Sequence, residues 1–404
     1  MKKSLRTSAG WPRPALVLAP ALALMACAVP EDPPAEAPLW AVGAEPLVVY
    51  GSAGDDPDNE FGYVADVARG PDGTIAAADG LYQSLSFFTA EGELRARAGR
   101  EGEGPGEFSE ISGLVSTPEG RLFALDGGLQ RLSEWTFDGD YVGDTRLTRQ
   151  GTDRPIGGVG RFGDGSWYAR ERDEMVAAPM NGTARDTAGF FRLADGAVGE
   201  PLARAPGTIT AMFEMMGPAV RHALLSPRSV GVVRGGCLLV GATDDPVLGV
   251  VDTEGNHLGE VRLDVEVKQA TGEHRDEWVA QTLATSGAIA AAAQRPMLER
   301  LADAIPMAER VPFGYGLVAD ALGYIWVQRY HLPEGPGGSE WHVFTETGAA
   351  LGTVILPGGF RAVEISADEI LGVFTHEMGL EDVRVYALDR GGDVGGRPVW
   401  EGCG

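Results

Sequence analysis

The feature that most constrains the fold of this chain is an internal repeat in its N-terminal half. Residues 71–98 read PDGTIAAADGLYQSLSFFTAEGELRARA, and residues 118–145 read PEGRLFALDGGLQRLSEWTFDGDYVGDT. The segments align without a gap at a period of 47 residues, and repeats of this length that contain several short strands are typical of β-propeller blades. The shared positions are Pro71 and Pro118, Gly73 and Gly120, Asp79 and Asp126, Ser86 and Ser133, Thr89 and Thr136, and Gly92 and Gly139.

Each copy of the repeat divides into four short extended runs. A PDG or PEG turn separates the first run from the second, which ends at Asp79 or Asp126, and an AEG or FDG turn separates the third from the fourth. Such turns favour hairpins between antiparallel strands, and four antiparallel strands make one blade. The predicted first three strands are 61–69, 74–78 and 85–88 in one copy and 111–117, 121–125 and 132–137 in the other.

Fainter copies of this pattern continue toward the C-terminus. FGDG at 162–165, RGG at 234–236 and ALG at 321–323 mark three further blades, and a sixth ends in the strand 383–388. That last copy lacks an obvious fourth strand, which the early segment Pro46–Tyr50 would supply by closing the ring and removing exposed sheet edges. We therefore expect six blades, with seven as the alternative.

The connection between the first two copies adds a family resemblance. Gly99–Phe108 (GREGEGPGEF) is followed by a strand, an acidic residue–glycine turn and a strand that ends in Asp. This pattern resembles the NHL-repeat type of propeller, and more closely the six-bladed β-propeller lipoproteins of environmental bacteria. The resemblance spans residues 46–390 and implies an all-β fold with four antiparallel strands per blade, but it implies no particular activity.

The N-terminal residues have the character of an export signal. Met1–Arg13 is basic, Pro14–Ala26 is apolar and too short to span a bilayer, and the segment ends in Leu-Met-Ala-Cys27. This ending resembles a lipobox, which implies that Cys27 is acylated and becomes the first residue of the mature protein. An ordinary cleaved signal with an incidental cysteine is the alternative. We expect residues 27–45 to be a tether, 391–404 to be a tail, and the lipid to anchor the protein to the cell envelope.

The net charge limits the classes of partner. The chain carries 33 Lys and Arg against 58 Asp and Glu, a formal charge of −25. Nucleic-acid binding depends on cations that neutralise phosphates, so the charge argues against it, and equally against attachment to anionic lipid through the protein surface. We expect a monomer whose partner is a protein or a small molecule.

Four long segments interrupt the blade pattern, and all should emerge on one face. They lie at the loops between second and third strands (172–188 and 329–340) and at the links between blades (205–228 and 266–311). The largest of them should form a helical insertion at about 268–310, with two short helices within 273–293 and 296–310. The stripe Met297, Leu298, Leu301 and Ile305 either packs a helix onto the propeller or forms a lid over its channel.

Residues in these segments are the candidates for a ligand or partner surface. Methionines suit adaptable apolar contacts, although the same cluster would serve equally well to pack the insertion. The loop of the fifth blade adds basic and aromatic side chains. The candidates are Met212, Phe213, Met215, Met216, Arg329, Tyr330, His331 and Trp341.

No motif for a catalytic residue, metal or cofactor stands out. The cysteines and the six histidines show no metal-ligand spacing, and there is no Gly-x-Ser-x-Gly or HExxH motif. Cys237 lies in the apolar run CLLVG and is interpreted as a small core residue, with pairing to Cys403 left open. The leading hypothesis is a non-enzymatic binding or scaffolding module. The alternative is a metal-dependent hydrolase or lyase whose site lies at the mouth of the propeller channel.

Overall fold

The computed structural model describes residues 38–51, 60–284, 288–330, 339–376, 378–392, 394–397 and 403. Within these residues the chain forms six β-sheets, each of four strands or more, together with two α-helices. This is the all-β, six-bladed propeller with a helical insertion that the sequence predicts. None of the helices in the described residues is long and apolar enough to cross a membrane.

The first two blades follow the repeat closely. Consecutive strands pair in antiparallel fashion within each blade, and the turns at Gly73 and Gly120 have φ of 84° and 77°, where glycine is favoured. The first strands of the chain, which belong to the last blade, are β1 (Ala41–Val42) and β2 (Val48–Tyr50). Blade 1 contains β3 (Val64–Arg69), β4 (Ile75–Asp79), β5 (Ser84–Phe88) and β6 (Leu94–Ala98), and blade 2 contains β7 (Ile111–Ser116), β8 (Arg121–Asp126), β9 (Arg131–Thr136) and β10 (Tyr141–Arg146).

The repeated aspartates are structural. Asp79 accepts backbone N–H groups of Leu81 and Tyr82 at 2.8 and 2.9 Å, and that of Gly62 at 2.8 Å. Asp126 does the same in blade 2, where one of its donors is the N–H of Ser109 at 2.9 Å. Each carboxylate thereby ties the loop after the second strand to the entry of the first strand, which explains why Asp recurs at this position.

Blade 3 is enlarged relative to the repeat, whereas blade 4 is regular. The segment 205–228, expected to be a linking loop, instead continues the fourth strand of blade 3 and then folds back as another strand. The expected loop 172–188 is shorter than predicted, because its residues from Gly182 onward form a strand that pairs with the extended fourth strand. Blade 3 contains β11 (Thr148–Arg149), β12 (Ile156–Arg161), β13 (Trp167–Glu171), β14 (Gly182–Ala194), β15 (Ala197–Glu214) and β16 (Pro218–His222), and blade 4 contains β17 (Ser229–Arg234), β18 (Cys237–Ala242), β19 (Asp245–Asp252) and β20 (His257–Arg262).

The N-terminal strands complete the last blade, as predicted. β2 pairs antiparallel with the third strand of blade 6, and β1 pairs with the same strand further along. Trp40 is buried against Tyr324, with ring centroids 5.2 Å apart, so the expected tether does not extend to residue 45. Blade 5 contains β21 (Gly314–Ala319), β22 (Ile325–Arg329), β23 (Ser339–Phe344) and β24 (Ala350–Leu356), and blade 6 contains β25 (Phe360–Ile365), β26 (Glu369–Thr375) and β27 (Glu381–Asp389).

The helical insertion contains α1 (Gly272–Ala284) and α2 (Ala288–Ala304). The boundary between the helices differs from the prediction, because Pro296 lies inside α2 rather than at its start. The Ala-rich residues before Pro296 have high helix propensity, so they continue the helix as far as the proline. Pro296 itself removes one backbone hydrogen-bond donor.

The extension of blade 3 and the two helices pack together on one side of the molecule. We call this unit the cap, defined as residues 182–188, 206–222, 272–284 and 288–305. Its apolar core joins Phe213 of β15 to Leu298 and Ile305 of the helical insertion, each at most 7% exposed. The predicted helical stripe therefore packs mainly against the extended strands, and Met297 is 55% exposed.

Cys237 and Cys403 form a disulfide, with Cα atoms 5.1 Å apart. Cys237 is fully buried, as expected for a core residue, and the structure answers the question of pairing that the sequence left open. The N–H of Gly236 donates to the carbonyl of Cys403 at 2.7 Å, and the N–H of Arg397 donates to Leu322 at 2.6 Å. The described residues of the expected tail are thus attached to blades 4 and 5.

Candidate functional site

The larger of two main cavities lies in the channel at the centre of the ring. It has a volume of about 780 Å³, and the first strands of five blades contribute to its wall. Its charged groups are already paired, since Arg69 contacts Glu364 at 3.0 Å and Asp66 accepts the N–H groups of Val67 and Leu114 at 2.9 and 2.8 Å. Burial raises the pKa of Asp66. These contacts hold neighbouring inner strands together, although Nε and Nη2 of Arg69 have no hydrogen-bond partner among the described residues.

The second cavity lies at the opposite end of the strands, between the cap and the propeller. We call it the cap cleft; its volume is about 660 Å³, within the range of small-molecule sites. The propeller side comes from the loop after β13, the entry to β17 and the residue after β22. The cap side comes from the start of the blade 3 extension, β16, the turn after it, and the helical insertion. The residues around it are Asp173, Met175, Thr208, Val220, Arg221, His222, Ala223, Leu224, Leu225, Ser226, Arg228, Trp278, Ile305 and Tyr330.

The cations of the cap cleft come from one short stretch of sequence. Arg221 and His222 lie on β16, and Arg228 lies just before β17. All three side chains are exposed, and no carboxylate lies within 4.0 Å of either arginine among the described residues. No Asp or Glu occurs between Glu214 and Asp244, although the whole chain is strongly acidic. The cleft therefore has a local positive charge on a negative protein.

The one aspartate that borders the cleft does not cancel this charge. Arg170 donates to both carboxylate oxygens of Asp173, at 2.8 and 2.9 Å, and also to the hydroxyl of Ser229 at 2.6 Å. Asp173 is consequently neutralised within the propeller, and Arg221 and Arg228 remain available to an incoming anion.

Tyr330 contributes a hydroxyl group that stays protonated. Its ring lies 4.7 Å from that of Tyr315, which belongs to β21. Burial, with smaller contributions from Tyr315 and Glu277, raises the pKa of Tyr330 to about 12, against the opposing effect of Arg228. The hydroxyl is therefore a hydrogen-bond donor at any physiological pH.

A backbone irregularity places an unsatisfied hydroxyl beside the cleft. Gly207 and Thr208 together oppose Asp186 in a bulge of the β14–β15 pair, and bulges commonly redirect a side chain near functional sites. The Thr208 hydroxyl oxygen is buried and has no hydrogen-bond partner among the described residues. Leu225, also at the cleft, has a φ of 59°, which is rare for a branched side chain.

Among the described residues of the predicted surface, Tyr330 alone borders the cap cleft. Arg329 next to it is paired with Glu340 at 2.8 Å, and His331 lies outside the described residues. Trp341 is buried in blade 5, where its indole N–H donates to Ser339 at 2.7 Å. It belongs to the core because it points inward on β23, so its assignment to the surface is wrong.

The methionine cluster lies elsewhere on the cap. Phe213 is 1% exposed and belongs to the cap core, so it is not a surface residue. Met212 is half-buried on β15, Met215 is 39% exposed, and Met216 at the adjoining turn is 97% exposed. The strand periodicity of β15 accounts for the difference, since successive side chains point to opposite faces.

Sequence reasoning did not identify the cations of the cap cleft, the Thr208 hydroxyl or the Trp278 ring. A signal for the cations was present in the acid-free stretch that contains Arg221 and Arg228. Nothing local marks Thr208 or Trp278, because their role depends on contacts between segments far apart in sequence.

The described residues contain no group of three or more His, Cys, Asp or Glu side chains that could hold one metal ion. Cys27, the predicted lipidation site, lies outside the described part of the chain.

No protein-family model matches this chain, and no curated protein matches it. Solved structures do share its general architecture. Virginiamycin B lyase from Staphylococcus aureus has a TM-score of 0.40 and 11% identity, over 87% of this chain and 99% of that one. Regucalcin, a calcium-binding protein from Agrobacterium tumefaciens, has a TM-score of 0.38 and 13% identity, over 87% and 98%. A gluconolactonase from Xanthomonas campestris has a TM-score of 0.37 and 11% identity, over 86% and 97%. At these values the likeness is one of overall architecture, and activity has to be argued from the site itself.

Proposed function

We propose that this protein is an exported, lipid-anchored β-propeller that binds a small molecule in the cap cleft without transforming it. The observation that carries the proposal is the cleft itself. Its arginine side chains and the Thr208 hydroxyl have no partner among the described residues, and together with the Trp278 ring they surround about 660 Å³. Ligand sites are typically concave and largely apolar, with a few convergent polar groups that orient the ligand.

The export part of the proposal rests on two features. The first 27 residues resemble a lipoprotein signal, and disulfides such as Cys237–Cys403 form and persist in oxidising compartments. We also propose that the chain is related to the NHL-type lipoprotein propellers that its sequence resembles. Labelling of cells with a radioactive fatty acid tests the anchor: the wild-type chain should incorporate label, and Cys27→Ala should not. Equal labelling of both would overturn the assignment of Cys27.

The position of the site can be tested by filling the cleft. Val220 borders the cleft on the edge strand β16 and is 49% exposed, so a larger side chain there should be tolerated by the fold. Val142, on the edge strand β10 of another blade, is 46% exposed and provides a matched control. We expect ligands found by a thermal-shift screen of the full-length chain to bind the wild type and Val142→Trp but not Val220→Trp. Ligands that bind all three alike would place the site elsewhere.

A catalytic role at the same end of the propeller is the second candidate. The supporting observation is Tyr330, whose hydroxyl remains protonated and is close enough to Arg228 for the charge to affect its pKa. A lyase or hydrolase could use such a group to donate a hydrogen bond to negative charge that develops on the substrate.

Turnover separates the two candidates. The names of the similar structures supply the first substrates to try, namely virginiamycin B and gluconolactone. Recovery of bound ligands unchanged, as judged by mass spectrometry, supports the binding module. Product formation supports an enzyme; loss of activity on chelation then indicates a metal, and loss in Tyr330→Phe indicates the tyrosine.

A further inference from the structure

The charges around the cap cleft favour one class of ligand. Arg221 and Arg228 reach it from the two ends of the turn between β16 and β17, and His222 adds a third basic group. The opposing carboxylates are Asp173, which Arg170 neutralises, and Glu277 of α1, which faces Tyr330 from the cap side. The balance around the cleft is positive, whereas the chain as a whole carries −25.

The remaining groups favour a ligand with an apolar part. Trp278, Val220 and Ile305 present apolar surface on the cap side. Tyr330 and Thr208 supply hydroxyl groups, and that of Thr208 has no partner among the described residues. An ion of the size of phosphate would leave most of about 660 Å³ empty and would not use the indole ring.

We propose that the cap cleft selects small organic carboxylates with an apolar body, in which Arg221 and Arg228 pair with the carboxylate and Trp278 contacts the apolar part. The inference rests on the proposed function, because it names the ligand class of the same cleft. Arginine suits this task since its planar guanidinium can donate two parallel hydrogen bonds to one carboxylate.

Three probes of equal shape and different charge test the selectivity. Phenylbutyrate is an anion, phenylbutyramide is neutral and phenylbutylamine is a cation, and titration calorimetry with the full-length protein compares their affinities. We expect the wild type to bind the carboxylate roughly tenfold more tightly than the amide. The amine should bind most weakly of the three. The difference in affinity between the carboxylate and the amide should decrease at high salt.

Variants assign this preference to named side chains. The double variant Arg221→Gln/Arg228→Gln should lose the preference for the carboxylate while still binding the amide. Its matched control, Arg146→Gln/Arg262→Gln, removes two exposed arginines from outer strands and should keep the preference. Equal loss in both double variants would mean that the effect is one of net charge alone and would overturn the proposal.

Thr208→Val gives a second, independent readout. Because the hydroxyl has no partner in the described structure, its replacement by a methyl group of similar size should leave stability unchanged or raised. Binding of phenylbutyrate should nevertheless weaken if the hydroxyl bonds to the ligand. Unchanged affinity for the carboxylate would exclude Thr208 from the site.

The outcomes for this inference and for the proposed function differ. If the amide binds as tightly as the carboxylate and Val220→Trp abolishes both, the cleft remains the binding site but the carboxylate preference is overturned. If Val220→Trp leaves the carboxylate bound, both fail. Failure of every probe to bind the wild type likewise overturns the carboxylate proposal.

Discussion

Gln83 of blade 1 accepts a hydrogen bond from the backbone N–H of Ile111, the first residue of blade 2, at 2.8 Å. The side-chain amide of Gln83 also donates to the carbonyl of Gly80 at 2.6 Å. One repeat later, Gln130 has the same relationship with Ile156 of blade 3, at 2.7 Å. The repeat thus contains a side chain that fixes blade 1 to blade 2 and blade 2 to blade 3.

Loss of this side chain should destabilise the propeller. Gln130→Ala leaves the N–H of the buried Ile156 without its acceptor, and an unsatisfied buried donor costs about 1–3 kcal/mol. Urea denaturation monitored by tryptophan fluorescence should show a lower midpoint for Gln130→Ala. The control is Gln150→Ala, which truncates an exposed side chain. Identical midpoints for the two variants would contradict a linking role.

Arg154 should matter more to stability than an exposed arginine with an equally close carboxylate. It lies 2.9 Å from Asp186 and 3.4 Å from Glu171, and these two carboxylates are only 3% and 1% exposed. Arg154→Met would leave both buried charges without their cation, which typically costs 3–5 kcal/mol. Arg95→Met removes the exposed 2.8 Å pair with Asp138 and should cost less than about 1 kcal/mol.

Denaturation of these two arginine variants gives the comparison directly. The contrary result is that the two variants lose the same small amount of unfolding free energy. That result would show that the residues around Arg154 relax or admit water, and that the buried ion pairs stabilise the protein no more than the exposed pair does.

The 47-residue period was sufficient to predict the regular blades, because their strands are built from local hairpins. The turns around Gly73 and Gly120 have the positive φ that glycine favours, and the strand after Asp79 begins within one residue of its prediction. The extension of blade 3 was missed because Pro206 and Gly207 indicate a break. In the structure Pro206 pairs with Thr187, a bulge at Gly207 and Thr208 follows, and the antiparallel pairing continues on the far side.

The cap cleft could not be predicted in the same way. Its groups come from β16, α1 and the loops of three blades, and only the packing of the cap brings Trp278 near Arg228 and Tyr330. The sequence does place the basic residues in an acid-free stretch, so it indicates a positive surface. It does not indicate that a ring and two hydroxyl groups lie next to that surface.

The disulfide should contribute substantially to stability. Cys237 and Cys403 are 166 residues apart, and a cross-link over a long loop restricts the unfolded chain; removal typically costs about 2–5 kcal/mol. Cys237→Ala, Cys403→Ala and the double variant should therefore lose similar amounts, because each breaks the same bond. Denaturation of the wild type with and without reductant is the control. Equal stability in both conditions would show that the bond contributes nothing.

Acid should weaken the cluster around Asp186 in a defined pH range. Burial alone raises the pKa of this carboxyl group, but hydrogen bonds from Arg154 and from the N–H groups of Glu174 and Thr187 outweigh it and lower the pKa below the ordinary value of 3.8. The folded state then binds fewer protons than the unfolded state around that pH. The stabilisation is consequently complete above the unfolded value and is lost as the pH falls through the lower, folded value.

Asp186→Asn removes this titration. We expect the variant to be less stable than the wild type at neutral pH, because Arg154 loses a charged partner. We also expect the difference to shrink as the pH falls below the ordinary value of 3.8, because the unfolded wild type takes up its proton there before the folded protein does. Urea denaturation at a series of pH values measures the difference. A gap between the two proteins that stays constant down to the acid limit of folding would mean that Asp186 titrates no differently in the folded and unfolded states.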